Sequence, residues 1–147
     1  MRYFSTKDIG RIFVLRLDPG DYVLESIMDL VEKEGVKEGV VVSAVGTLDR
    51  YSAHMVTSTT FPPENLFVTL NDEPMEVLSI CGLIVAGEPH LHIVVSDSKK
   101  AYGGHLEKGC RTLYVAEIVI IELKSLNLKR VRESDQVKRL TNIEDNK

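Results

Sequence analysis

GEPHLHIVVSDSKKAYGGHLEKG, residues 87–109, holds three of the four histidines of the chain within sixteen positions. His90 and His92 flank Leu91 and lead into Ile93, Val94 and Val95, which reads as a strand. Strand side chains alternate with a period of two, so the two imidazoles share one face. Ser96 to Gly104 is polar and ends in two glycines, which reads as a loop leading to His105. Gly103 and Gly104 lack the Cβ that would otherwise collide, so the backbone carrying the third imidazole can approach closely. Three neutral imidazoles converging on one point make a transition-metal site with an open position, as in catalytic zinc. The same spacing also suits histidines that hydrogen-bond across a sheet, and both readings stay open on spacing alone.

Working outward, Ile12 to Leu17 reads as a strand ended by the turn cluster Asp18-Pro19-Gly20-Asp21. From Tyr22 on, Val23, Leu24, Ile27, Leu30 and Val31 recur at helical spacing, with Asp21 placed to cap the start and Gly35 to end the helix. Val40 to Val45, Tyr51 to Thr59, Leu66 to Leu70, Met75 to Val85 and Thr112 to Leu123 read as strands. Pro62 and Pro63 break the chain, and Asn71-Asp72 is expected to turn it. This pattern predicts an α+β fold: a single domain with a mixed, mostly antiparallel sheet of about seven strands and one main helix packed on it. The domain is expected over residues 1–126, followed by a charged segment, 127–147, that is docked or partly disordered.

A chain of 147 residues, 44% hydrophobic and 27% charged, has the length and composition of one packed domain. Met1 to Gly10 has no apolar leader-like run, and no apolar stretch approaches bilayer length, so a cytoplasmic location without membrane contact is expected. Cys81 and Cys110 lie in or beside apolar strands and are expected to be buried structural thiols, although Cys110 is near enough to His105 to be considered as a ligand. The net charge of -4 is the wrong sign for coating a phosphate backbone. Lys124 to Arg139 nevertheless sets six basic residues against two acidic ones. A solvated face explains such a segment more often than a nucleic-acid patch does.

Beyond the trio, His54 on an alternating strand is a candidate fourth ligand or acid/base group. Ser96 and Asp97 could orient a ligand imidazole or simply build a turn. Glu76 and Glu117 interrupt apolar strands, where a carboxylate must be paired, protonated or at a metal. Glu117 is the candidate general base if it faces the histidines. Phosphate-cradling glycine loops, a Gly-x-Ser-x-Gly elbow, a His-Glu-x-x-His helix and CxxC pairs do not occur in the sequence.

Gly87-Glu88-Pro89-His90-Leu91-His92, Ser96-Asp97 and Gly103-Gly104-His105-Leu106 followed by Gly109 together resemble the signature of the plants-and-prokaryotes conserved (PPC) domain, single-domain prokaryotic type. The likeness extends through Gly20-Asp21, Val42 to Thr47, Met75 to Ser79 with Gly82, Ala116-Glu117 and Arg132-Glu133-Ser134-Asp135. Ser98 to Tyr102 departs from the pattern, standing where members often have a glycine and small apolar residues. The resemblance implies a homotrimer with the histidines near subunit clefts, and a binding module associated with DNA or a DNA-bound protein. The overall fold also resembles a group that includes acetolactate decarboxylase, in which histidines hold zinc.

Two functional expectations follow, beside a third, that the chain is a purely structural assembly subunit. The first is a trimeric, DNA- or transcription-associated module with a divalent transition metal, zinc by preference, on His90, His92 and His105. The alternative is a zinc-dependent lyase or hydrolase acting on a small molecule, with Glu117 or His54 handling protons.

Overall fold

The computed structural model describes residues 1–143, so the last four residues of the charged segment lie outside the description. Its elements are β1 (Ile9–Leu17), α1 (Val23–Glu34), β2 (Glu38–Val56), β3 (Asn65–Val85), β4 (Glu88–Ser96), β5 (Ala101–Leu106), β6 (Arg111–Leu123), β7 (Leu128–Arg132) and β8 (Lys138–Asn142). Six strands form one sheet in the order β1-β6-β2-β3-β4-β5, and β7 and β8 form a separate hairpin. Every strand pairing among the described residues is antiparallel. A further pairing of β2 with β5 curls the sheet back on itself, so that β2, β3, β4 and β5 close a ring. The α+β class and the single main helix are as the sequence predicts.

Helix α1 buries Val23, Ile27 and Val31, spaced four apart, so one stripe of the helix faces the sheet. These side chains join Leu15, Leu17, Val41, Ile84, Leu91, Ile93, Ile118 and Ile120 in one core. The helix ends at Gly35, in the left-handed conformation that glycine favours. Its start differs from expectation. Tyr22 is the capping residue and makes no side-chain cap, because the Asp21 carboxylate instead accepts the Asp18 N–H at 2.8 Å. The Val23 N–H donates to the Cys110 carbonyl at 2.9 Å, which ties the helix to the start of β6.

Three sequence boundaries are corrected. Val40 to Val45 and Tyr51 to Val56 belong to one strand, β2, which stops short of the expected end at Thr59, and Leu66 to Leu70 and Met75 to Val85 belong to another, β3. Asn71-Asp72 does not turn the chain. The register there moves from Leu48↔Met75 to Arg50↔Asn71, so the extra residues, with Asp72 at φ 58°, form a bulge that bends the strand without reversing it. Ser96 to Gly104 is not a long loop either: Ala101–Leu106 pairs with β4, and only a tight turn separates the two strands.

Within the charged segment, the β7–β8 hairpin packs on the sheet. Leu128 is buried and donates its N–H to the buried Glu38 carboxylate at 2.8 Å, and Arg130 donates to the Leu83 and Glu88 carbonyls at 3.1 and 2.9 Å.

At the opposite edge, Glu122 accepts the Arg11 backbone N–H and two guanidinium N–H groups at 3.0–3.1 Å, which stitches β1 to β6. Those bonds hold the Glu122 carboxyl at about 2. Its pKa is lower folded than unfolded, so the stabilisation is full above the ordinary carboxylate value and is lost as pH falls toward about 2. Chemical denaturation of Glu122→Gln is therefore expected to show its largest deficit against the unsubstituted protein near neutral pH, and the two should converge as acidity increases. Ile27, with no exposed surface, is expected to cost about 2–5 kcal/mol on replacement by Ala. The half-exposed Met28 should cost far less on the same replacement.

Candidate metal centre

β4 carries His90 and His92 on its outer face, while Leu91, Ile93 and Val95 point into the core. β5 lies beside it with His105 directly opposite His92, and β2 lies on the other side of β5 with His54 directly opposite His105. Three strands thus bring all four histidines of the chain together. Ring centroids are 4.9 Å apart for His90 and His105, 5.5 Å for His92 and His105, 5.7 Å for His90 and His92, and 4.5 Å for His54 and His105.

Gly104 makes this convergence possible. A Cβ there would stand 2.6 Å from the His54 carbonyl oxygen, a separation real side chains do not tolerate. At Gly103 the nearest atom would be 3.4 Å away, an ordinary contact. Of the glycine pair singled out by the sequence, Gly104 therefore sets the close approach of β5 to β2.

Ligand nitrogens of His90, His92 and His105 lie within 4.8 Å of one another. A tetrahedral ion with bonds of 2.0–2.1 Å needs its ligand nitrogens roughly 3.4 Å apart, which lies within that bound. Burial holds the pKa of His90 below its ordinary value, with Arg130 and His92 adding to the effect. Burial, followed by the neighbouring His54 and His90, lowers that of His105 to about 4. Both rings are neutral near pH 7, the form that binds a metal. The donor set fits a divalent transition ion.

A second set, His54, His105 and Glu107, also lies within 4.8 Å. His54 Nδ1 is 2.7 Å from a Glu107 oxygen, a histidine–carboxylate pair beside the trio. Sequence reading missed Glu107. The signal was present, since residues 105 and 107 fall on the same side at strand spacing.

The other candidates lie elsewhere. Glu117 sits exposed on β6, in register with Arg16 and Val45, nine residues along β2 from His54. Glu76 is exposed on β3 opposite Thr47 and Ser96. Neither is buried, so neither needs a metal or partner, and Glu117 does not belong to the histidine cluster. Asp97 builds the β4–β5 turn, accepting the Lys99 and Lys100 N–H groups at 2.6 and 2.8 Å and the Tyr102 hydroxyl at 3.0 Å. Cys110 is buried, accepts the Ser52 N–H at 3.2 Å and is pushed up to about 11 by burial, which keeps it a thiol, and it is in neither cluster of converging ligand groups among the described residues. Cys81 is exposed, contrary to expectation, because it sits on the outer face of β3 opposite His92.

The fold and site define a class: a curled antiparallel sheet under one helix, with a histidine cluster on strands β2, β4 and β5. A family model, the Plants and Prokaryotes Conserved (PCC) domain, matches residues 4–124. The chain belongs to this family, the one its signature resembles. A bifunctional protein GlmU from Synechococcus is 30% identical over 126 residues, which are 85% of this chain and 19% of that protein. The chain thus spans about a fifth of the length of the curated relatives it matches. The metal-containing protein AF0104 from Archaeoglobus fulgidus shares the fold with TM-score 0.78 and 24% identity, over 92% of this chain and 95% of that one. A protein from Bacteroides thetaiotaomicron, provisionally described as DNA-binding, has TM-score 0.77 and 18% identity, over 94% and 96%.

Gly104→Ala is expected to push β5 away from β2 and to destabilise the protein by about 1–3 kcal/mol, an overpacking cost. Gly103→Ala should leave stability nearly unchanged in parallel thermal melts.

Proposed function

We propose that this chain is a cytoplasmic, homotrimeric binding module that holds a divalent transition ion, zinc by preference, on His90, His92 and His105. The observation that carries this reading is the convergence of three imidazoles, two held neutral by their surroundings, with ligand nitrogens within 4.8 Å. The metal-containing description of AF0104 supports it by analogy of fold. Imidazole ligands also suit copper, iron and nickel, and availability decides among them.

Trimer formation is supported by exposed apolar side chains on the outer sheet face, among them Ile12, Val14, Val42, Val45 and Leu78. The DNA- or transcription-associated role rests on the description of the Bacteroides protein. With a net charge of -4, this chain would meet DNA through a small contact or through a DNA-bound partner. Among the described residues no helix is long and apolar enough to cross a membrane. Cytoplasmic location is supported by Cys81 and Cys110, both free thiols.

A second reading, a zinc-dependent lyase or hydrolase on a small molecule, is favoured by the His54–Glu107 pair at 2.7 Å. With Nδ1–H donating to Glu107, His54 Nε2 is left to accept a proton beside the ion, whose chemistry is to polarise a bound oxygen. His54 takes the proton-handling role in this reading, and Glu117 does not share it.

Protein purified without chelator or histidine tag is expected to carry about one transition ion per chain by elemental analysis. His92→Ala should lose it and His54→Ala should keep it; metal-free preparations would overturn both readings. Zinc at a hundred times its dissociation constant should add about 2.7 kcal/mol to the stability of the metal-free form. Duplex DNA binding is expected to be detectable at low salt and to weaken steeply as salt rises. Silence at low salt would remove the DNA contact and leave the metal reading standing.

A further inference from the structure

Residues 128–142, the β7–β8 hairpin, lie beyond the family match, which ends at residue 124. The hairpin is nevertheless one wall of the histidine pocket. That pocket has a volume of about 810 Å³, with His54, His90, His92 and His105 on its sheet side and Arg130, Gln136 and Lys138 on its hairpin side. The segment that the sequence left as a docked or frayed tail therefore brings two cations to the proposed metal.

Only one of the two enters an ion pair among the described residues. Arg130 is held by the carbonyl oxygens of Leu83 and Glu88, which are neutral, and forms no ion pair among the described residues. Two of its five N–H donors are used there, which leaves three. Burial lowers the pKa of Arg130, the mark of a partly desolvated cation, and Arg130 and Lys138 both act on His90. Lys138 shares the Glu88 carboxylate at 3.1 Å. Glu88 and Glu107 together offset Arg130 and Lys138, so a divalent ion on the imidazoles leaves the site with an excess of two positive charges. A recess of this size and sign suits a small anion, because guanidinium and carboxylate match in geometry and the ion's open position accepts an oxygen donor. Two cations, one of them already paired, are too few for a nucleic-acid backbone.

We propose that the β7–β8 hairpin completes the histidine site as a receptor for a small carboxylate, whose anionic group faces Arg130 and Lys138 while a second oxygen reaches the metal held by His90, His92 and His105. This rests on the metal reading above and adds the ligand class to it. Glu88 is then the occupant's rival: a ligand carboxylate must draw Lys138 away from it. Arg130 has two duties, holding the hairpin on β3 and β4 and presenting charge to the pocket.

The test is calorimetric titration of zinc-loaded protein with malonate, with the neutral diamide malonamide as control and zinc content measured on every sample. Malonate is expected to bind and malonamide is not. Lys138→Ala should weaken malonate binding about tenfold without loss of zinc, the usual scale for one charge-assisted contact. Glu88→Gln should tighten it, a gain that a damaged fold could not produce. Arg130→Gln should weaken it most, and its thermal melt separates a lost contact from a lost hairpin. Zinc-loaded protein that ignores malonate, or that binds it equally well in the Lys138 and Glu88 variants, overturns the carboxylate proposal and leaves the metal reading intact. Tighter binding of inorganic phosphate than of malonate overturns the assignment to a carboxylate. Protein that takes up no zinc overturns both.

Discussion

The missing Cβ at Gly104 is the constraint on which the site depends. Strand β5 pairs with β4 along one edge, and it can pair with β2 along the other only because nothing projects from Gly104 toward the His54 carbonyl. That second pairing curls the sheet and places His105 between His92 and His54. Without it, the histidines of β4 and the histidine of β2 would lie on strands separated by β3. One steric allowance thus joins residues far apart in sequence, and a well-packed interior would transmit its loss to every strand of the ring.

The electrostatics of the pocket follow from the same closure. Partial burial and mutual proximity hold His90 and His105 neutral, so these two rings present lone pairs and not charges. Cations then come from the hairpin, Arg130 tied down by two carbonyls and Lys138 balanced by one carboxylate. The hairpin itself is pinned by buried Glu38 and Leu128, residues with no part in the chemistry. Site and support are separable here: the sheet supplies ligands, and the tail supplies charge.

Much of the fold was legible in local pattern. The 3.6-residue recurrence of Val23, Ile27 and Val31 located the helix, and the Leu91, Ile93, Val95 alternation located β4 and the face its histidines would share. Where reading failed, a competing interaction decided the outcome. Asp21 looks like a cap, but its carboxylate is taken by the turn at Asp18. Asn71-Asp72 has turn composition, yet cross-strand pairing on both sides continues past it and turns it into a bulge. Glu117 looked like a buried carboxylate because its neighbours are apolar. Single-sequence reading cannot tell which face of an apolar strand is covered, and its face is open.

The sequence by itself determined the helix, most strands, the shared face of His90 and His92, and the family signature, because these depend on spacing over a few residues. Tertiary structure alone decided that His54 and Glu107 stand beside the trio and Glu117 does not. It also decided that a charged tail becomes a hairpin wall carrying Arg130 and Lys138. Those juxtapositions join positions tens of residues apart through strand register and hydrogen bonds between elements, and no local periodicity encodes which register the sheet adopts when it closes.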